Sequence, residues 1–162
     1  MFNIGDRVVY PMHGAGIIEA IEDKEILGQV EQYYVMKMPL GDMRVMIPVA
    51  KVDHLGIREV IASHAVEQVL EILRDQKERL TDSWNKRYRD NLDKLKTGNI
   101  YEIAGVVSEL LYLEREKGLS AGERKMLDQA KQVLVSELLL AGPTDEDELE
   151  KMFDSLSKKA SL

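Results

Sequence analysis

In the first third of the chain, hydrophobic and polar side chains alternate in short runs that are separated by glycine and proline. This alternation, together with the β-branched and aromatic content of the runs, predicts β-strands. The runs cover residues 7–10, 17–22, 31–38 and 43–47, and the glycine-rich segment 14–16 is predicted to bend the chain between the first two. Short strands with turns roughly every 8 to 12 residues favour a small antiparallel β-barrel.

After residue 56 the hydrophobic residues recur at intervals of three and four, which predicts amphipathic helices. The predicted helices begin at capping residues, and several end at glycine. The capping residues are, in chain order, Ser63, Thr81 or Asp82, Asn99, Ser120 with Glu123 in a capping box, and Thr144. The predicted fold is therefore α+β, with a small antiparallel barrel in residues 1–56 and an all-α bundle of four to five helices in residues 57–162.

Composition narrows the class of protein. The chain has 162 residues, of which 44% are hydrophobic, so it can bury a core. Its sequence contains no cysteine and no apolar run long enough to suggest a membrane span, which favours a cytoplasmic protein. The net charge of −7 argues against indiscriminate binding to nucleic acid, because such binding depends on neutralising phosphates.

The sequence carries little that predicts catalysis. Phosphate-binding Walker loops, His-Glu-x-x-His motifs and Gly-x-Ser-x-Gly motifs are absent from it. His13, His54 and His64 have no spacing typical of metal ligands. Asp145 and Asp147 lie in a predicted first helical turn, where the helix dipole accounts for acidic residues. We therefore expect no enzymatic activity, no metal and no cofactor.

The single tryptophan, Trp84, opens the most informative segment. Residues 84–98 hold five basic side chains against two acidic ones, a local charge of +3 in an acidic protein. Trp84 either belongs to the core of the bundle or lies exposed at its rim, where an apolar ring can wedge into a DNA base step. Lys86, Arg87 and Arg89 would then hold phosphates, or else they form a solvated helix face.

The methionines of the predicted barrel also allow two interpretations. Met36, Met38, Met43 and Met46 fall within eleven residues. They either fill the core at alternate positions or form an adaptable contact surface. A partly open barrel can in addition present an edge strand to the strand of a partner protein.

Taken together, these segments resemble the CarD/CdnL family of bacterial transcription regulators. The resemblance covers nearly the whole chain and is carried by residues 2–16 (FNIGDRVVYPMHGAG), 84–95 (WNKRYRDNLDKL) and 114–123 (EREKGLSAGE). The opening motif is shared with other small barrels, so the tryptophan-basic segment followed by Gly118-Leu119-Ser120 is the more specific part.

The resemblance implies a Tudor-like barrel that binds the β subunit of RNA polymerase, a module shared with the transcription-repair coupling factor. It implies that the helices contact promoter DNA at the upstream edge of the melted bubble. The implied DNA-contacting residues are the minor-groove wedge Trp84, the basic residues Arg87 and Arg89 beside it, and Arg124 on a later helix. The basic segment after Trp84 adds Lys86 to these candidates.

For the polymerase, the resemblance points to Lys24 and to the strand that carries Arg44, Met46 and Ile47. The chain departs from the family in one respect, because relatives have a basic residue where Met46 stands. Arg44 lies two residues away, on the same face of the strand by alternation. Either Arg44 supplies that charge, or the contact with polymerase is more apolar in this chain.

Two alternatives from other classes stay open on the sequence. One is an interaction module that binds proteins only, with Trp84 in the bundle core. The other is a ribosome-associated barrel protein, suggested by Gly5-Asp6-x-Val8, although the acidic balance counts against it.

Overall fold

The computed structural model describes residues 1–76 and 83–158. Its strands are β1 (Arg7–Tyr10), β2 (Gly14–Ile26), β3 (Gln29–Lys37), β4 (Arg44–Pro48) and β5 (Arg58–Glu59). They form one antiparallel sheet in the order β4-β3-β2-β1-β5. The sheet therefore continues past residue 56, where the sequence predicted the division, because Arg58 pairs with Val9 of β1. The two-domain boundary itself stays a prediction.

Strand β2 is longer than its sequence pattern indicates. The segment 14–16, predicted as a bend, pairs with β1 instead. Gly16 is needed there because a Cβ at this position would lie 2.6 Å from the carbonyl oxygen of Lys37. At its other end β2 continues to Ile26, where Leu27 (φ 54°) and Gly28 (φ 78°) form a tight turn into β3. All residues from 21 to 30 are exposed, so this hairpin projects from the sheet as an arm.

The sheet has a hydrophobic core of its own. Its fully buried side chains include Val8, Ile18, Tyr34, Met36 and Ile47. A 3-10 turn, Val49–Lys51, and the short helix α1 (Val52–Leu55) follow β4 and add Val52 to this core. Of the four clustered methionines, Met36 and Met38 fill the core, Met46 is half-buried and Met43 is exposed.

Within the described residues, five further helices follow the sheet, so the predicted α+β class is confirmed. They are α2 (Val66–Arg74), α3 (Trp84–Thr97), α4 (Ile100–Glu116), α5 (Ala121–Ala141) and α6 (Glu146–Ser157). Helix α4 lies centrally and contacts α2, α3, α5 and α6. It contributes the buried side chains Ile103, Val107, Leu110 and Leu111 to the helical core.

The predicted caps are confirmed where the capping side chain lies next to a long helix. Asn99 accepts hydrogen bonds from the backbone of Tyr101 and Glu102, and Ser120 forms a capping box with Glu123. Two starts differ: Ser63 opens a 3-10 turn before α2, and Asp145, not Thr144, caps α6. Thr81 and Asp82 lie outside the described residues, and α3 begins at Trp84 with Ser83 as its cap.

Candidate nucleic-acid interface

Trp84 is the first residue of α3 and stands at the rim of the helical bundle. The Ser83 Oγ accepts a hydrogen bond from the backbone N–H of Lys86 at 3.2 Å, which fixes the start of the helix at this point. The Trp84 side chain is exposed at 43%, although it is the largest apolar side chain of the protein. The interpretation that places Trp84 in the bundle core therefore does not fit the structure.

The Trp84 ring is held in place although it is exposed. It stacks on the ring of Tyr88, one turn along α3, with the ring centroids 5.1 Å apart and the planes 17° from parallel. Gly122 of α5 borders this pair: a Cβ there would lie at ordinary van der Waals distances, 3.5 Å from Tyr88 Cε2 and 4.0 Å from Trp84 Cζ2. Stacking on Tyr88 favours one orientation of the indole, so ligand binding would lose less conformational entropy than with a side chain that has no such contact.

The predicted cations around Trp84 fall into two groups. Arg89 is exposed and forms no ion pair with another described residue. Lys86 lies 3.8 Å from Asp90, four residues along α3, and is also exposed. Arg124 on α5 forms an ion pair with Glu114 and keeps half of its side chain exposed. All three keep enough exposure to approach a phosphate.

Arg87 differs from its neighbours because its guanidinium points into the bundle. Its side chain is only 15% exposed, and Nη2 and Nε lie 3.2 and 3.4 Å from Oε2 of Glu123. Glu123 is 6% exposed and also completes the capping box with Ser120. Arg87 thus joins the start of α3 to the start of α5, and its predicted contact with DNA stays a prediction.

Three contributors to this surface were not singled out by the sequence: Tyr88, Gly122 and Glu123. Tyr88 was recognisable only as a member of a hydrophobic stripe, and Glu123 only as a capping residue. Their second roles depend on α3 and α5 lying side by side. Only the four-residue spacing from Trp84 to Tyr88, which places the rings on one helix face, could have given a signal.

The residues implied in polymerase binding lie on the sheet. Lys24 is exposed on the β2–β3 arm, opposite Glu31. Arg44 is exposed at the start of β4, the strand at one end of the sheet. Its hydrogen bond and charge interaction with Glu19 raise the pKa of the Arg44 guanidinium further, so it stays charged.

Within β4 the side chains divide between two faces. Met46 is half-buried on the same face as Arg44, as alternation predicts. Ile47 points to the other face and is fully buried in the sheet core. The Ile47 side chain is therefore not available to a partner, and only its backbone in the edge strand could take part in binding.

Within residues 1–76 and 83–158, no cluster of three or more metal-ligating side chains is found. None of the helices in the same ranges is both long and apolar enough to cross a membrane. The three histidines are exposed and lie in separate elements.

Comparison with known proteins decides the family. The family model for the CarD C-terminal domain matches residues 68–154, which is more than half of the chain. The chain belongs to the CarD family. The model for the CarD-like/TRCF RID domain matches residues 2–61, so the two CarD-type modules together account for nearly all of the chain.

One curated relative agrees with this assignment. The chain is 49% identical over 138 residues to the Bacillus subtilis protein named "Putative transcription factor YdeB", covering 85% of this chain and 90% of that protein. It is also similar to the solution NMR structure of the 72-residue N-terminal domain of Myxococcus xanthus CarD. That match has 37% identity and a TM-score of 0.32 and covers 36% of this chain and 79% of the domain. The CarD-family chain is accordingly a CarD-like transcription regulator.

Proposed function

We propose that this CarD-like regulator binds the β subunit of RNA polymerase through its sheet and stabilises the open promoter complex by inserting Trp84 at the upstream edge of the DNA bubble. The observation that carries the proposal is the exposed Trp84 ring, stacked on Tyr88 at the start of α3. An apolar ring that is ordered but exposed suits insertion between bases better than it suits solvent. Lys86 and Arg89 on the same helix supply charge for the flanking phosphates.

The proposed selectivity for open DNA follows from where Trp84 gains free energy. Melting a promoter creates a junction with an unstacked base step, which a relaxed duplex lacks. Stacking on an unpaired base is worth about 1–3 kcal/mol, whereas wedging into an intact step first costs a few kcal/mol of unstacking. Trp84 therefore favours the open state by the difference between these affinities.

The sheet is proposed to deliver this weak DNA contact. Strand β4 lies at an end of the sheet, so it can accept a strand of a partner, while Arg44 and Met46 add a charged and an adaptable contact. A protein with a net charge of −7 gains little from free DNA. Bound to polymerase, its helices meet the promoter at an effective concentration of about millimolar.

The test is the dissociation half-life of polymerase–promoter open complexes without the protein, with wild type, and with Trp84→Ala. We expect wild type to lengthen the half-life. With Trp84→Ala the factor of lengthening should be smaller by about 5- to 150-fold, because this range corresponds to the 1–3 kcal/mol that one stacked base contributes. Arg74→Gln, on the exposed face of α2, serves as the matched control and should behave as wild type.

Two measurements keep the outcomes separable. Pull-down with the β subunit should give equal binding for wild type and Trp84→Ala, since the substitution leaves the sheet untouched. Circular dichroism checks that the variant is folded. Equal lengthening by wild type and a folded Trp84→Ala would refute the wedge and favour a role confined to protein binding.

A further inference from the structure

One arginine of the sheet, Arg58 in β5, holds several parts of the molecule at once. Its Nη1 and Nη2 each lie 2.7 Å from a carboxylate oxygen of Glu137 in α5, forming a two-point ion pair. Its Nε and Nη2 also donate to the backbone carbonyl of Gly98, at 3.1 and 2.6 Å. A further hydrogen bond joins Nη1 to the Glu59 carbonyl at 2.9 Å. One planar guanidinium thus connects the sheet to α5 and to the junction between α3 and α4.

Glu137, the partner of Arg58, lies inside the protein. Its side chain is only 1% exposed, and Oε2 accepts a second hydrogen bond from the backbone N–H of Ile61 at 3.0 Å. A buried carboxylate needs charge compensation and hydrogen bonds. Arg58 and Ile61 supply both from the segment that leaves the sheet, so the ion pair defines how this segment meets α5.

Other residues near Arg58 also pack closely between the sheet and the helices. The Ser136 Oγ in α5 accepts a hydrogen bond from the buried backbone N–H of Ala15 at 2.8 Å. Gly14 leaves room for it, since a Cβ there would lie 2.8 Å from the same oxygen. Pro11 packs on Gly98, where an added Cβ would come within 2.9 Å of its ring. The sheet therefore fits against α5 and the α3–α4 junction as one packed surface.

The Gly98 carbonyl matters because of where it stands on α3. Gly98 is the C-terminal cap of α3, in the left-handed conformation (φ 72°), and Trp84 is at the opposite end of the same helix. A helix of this length spans about 20 Å. Rotation by about 10° around its Gly98 end would therefore displace Trp84 by about 3–4 Å, comparable to the spacing of stacked bases of about 3.4 Å.

We propose that Arg58 is a positioning residue that fixes the direction of α3 relative to the polymerase-binding sheet and so aims Trp84 at the DNA junction. This inference rests on the proposed function for its effect on transcription. Its structural part, the fixed angle between sheet and α3, stands independently. Arginine is required because the planar fork serves Glu137 and Gly98 together, whereas a lysine ammonium is a single point of charge.

The structural part is tested by spin labels. The sequence contains no cysteine, so labels can be attached at Asp53→Cys in α1 and Asp93→Cys in α3, two exposed positions on either side of the contact. We expect one narrow distance distribution in the wild-type background and a broad or second distribution with Arg58→Lys. An unchanged narrow distribution in Arg58→Lys and in the double variant described next would overturn the inference.

Loss of Arg58 alone leaves a buried charge on Glu137 and risks unfolding. The double variant Arg58→Met/Glu137→Gln removes both charges and keeps the side-chain volumes close to the original, so it tests the geometry in a folded protein. Phe153→Leu, which loosens α6 within the helical core, is the matched control for a general loss of stability. It should lower the melting temperature and leave the label distances unchanged.

The effect of Arg58 on transcription is tested by measuring the half-life of open complexes at protein concentrations that saturate polymerase. We expect the double variant to bind the β subunit as wild type does while its lengthening of the half-life falls by about tenfold. Phe153→Leu should retain the full effect below its melting temperature. Suppose that Trp84→Ala abolishes the lengthening of the half-life, but the double variant keeps it although its spin-label distances are broadened. The positioning role is then refuted while the proposed function stands. If Trp84→Ala has no effect either, the proposed function itself fails.

Discussion

The ion pair between Arg87 and Glu123 provides a stability prediction that separates structure from DNA contact. Arg87→Met removes the guanidinium and leaves Glu123, which is 6% exposed, with its capping-box hydrogen bonds alone. Breaking a buried pair from one side costs about 3–5 kcal/mol. The contacts here, at 3.2 and 3.4 Å, are longer than the best charge-assisted bonds. We therefore expect a loss of about 2–3 kcal/mol in the free energy of unfolding.

Urea unfolding followed by circular dichroism measures this loss directly. For a chain of this size it corresponds to a decrease in Tm of about 5–10 °C. Arg89→Met is the matched control, since Arg89 lies on the same helix, is exposed, and should change stability by no more than about 0.5 kcal/mol. For the double variant Arg87→Met/Glu123→Gln, the loss in the free energy of unfolding should be about 1–2 kcal/mol smaller than the sum of the losses of the two single variants.

The same pair of variants distinguishes two roles for Arg87. If Arg87 acts by holding α3 against α5, Arg87→Met destabilises the protein and Arg89→Met instead weakens the effect on open complexes. If Arg87→Met kept the wild-type stability and weakened only the effect on DNA, the structural role assigned to this ion pair would be refuted.

Two further predictions concern backbone positions with positive φ. Gly14→Ala should cost about 2–4 kcal/mol, from strain at φ 114° and from crowding against Ser136, measured by urea unfolding. Gly5→Ala (φ 96°) is the control, because a Cβ there meets nothing within 4 Å and only the backbone strain should lower the stability. Equal losses of stability in the two variants would argue against crowding at Gly14. Leu27→Asn should tighten the β2–β3 turn, because asparagine adopts φ near +54° more readily, and slow amide hydrogen exchange in the arm by about three- to fivefold. Faster exchange would contradict it.

The sequence predicted most of the elements because their signals are local. Asn99, Ser120 and Gly98 mark helix ends through hydrogen bonds or backbone conformations within three or four residues, and these were found where expected. The start predicted at Ser63 is displaced because the first turn there is a 3-10 turn, so α2 begins only at Val66. The start predicted at Thr144 is displaced by one residue because the adjacent Asp145 is also a capping type and accepts the hydrogen bond instead. The prediction of a bend over 14–16 is wrong because glycine also occurs in strands that another backbone approaches closely.

The candidate DNA surface was predicted only in part. The sequence pointed to Trp84 and its cations, but it left open whether the ring is buried or exposed. That choice depends on how α3 packs: Trp84 stacks on Tyr88 at the rim, where Gly122 of α5 borders the pair, and Glu123 of α5 draws Arg87 inward. On the sheet, alternation placed Arg44 and Met46 on one face, and the same alternation commits Ile47 to the core.

By itself, the sequence determined the α+β class, the succession of strands followed by long helices, and the family, since hydrophobic periodicity, caps and motifs are all written in consecutive residues. It gave no signal for the short helix α1 or for strand β5. Only the tertiary structure decided how the sheet meets the helices. Arg58 and Glu137 are 79 residues apart, and nothing near either one in the chain indicates the other. Burial of one carboxylate and the reach of one guanidinium are properties of the packed chain, and they join the sheet to α5 and to the end of α3.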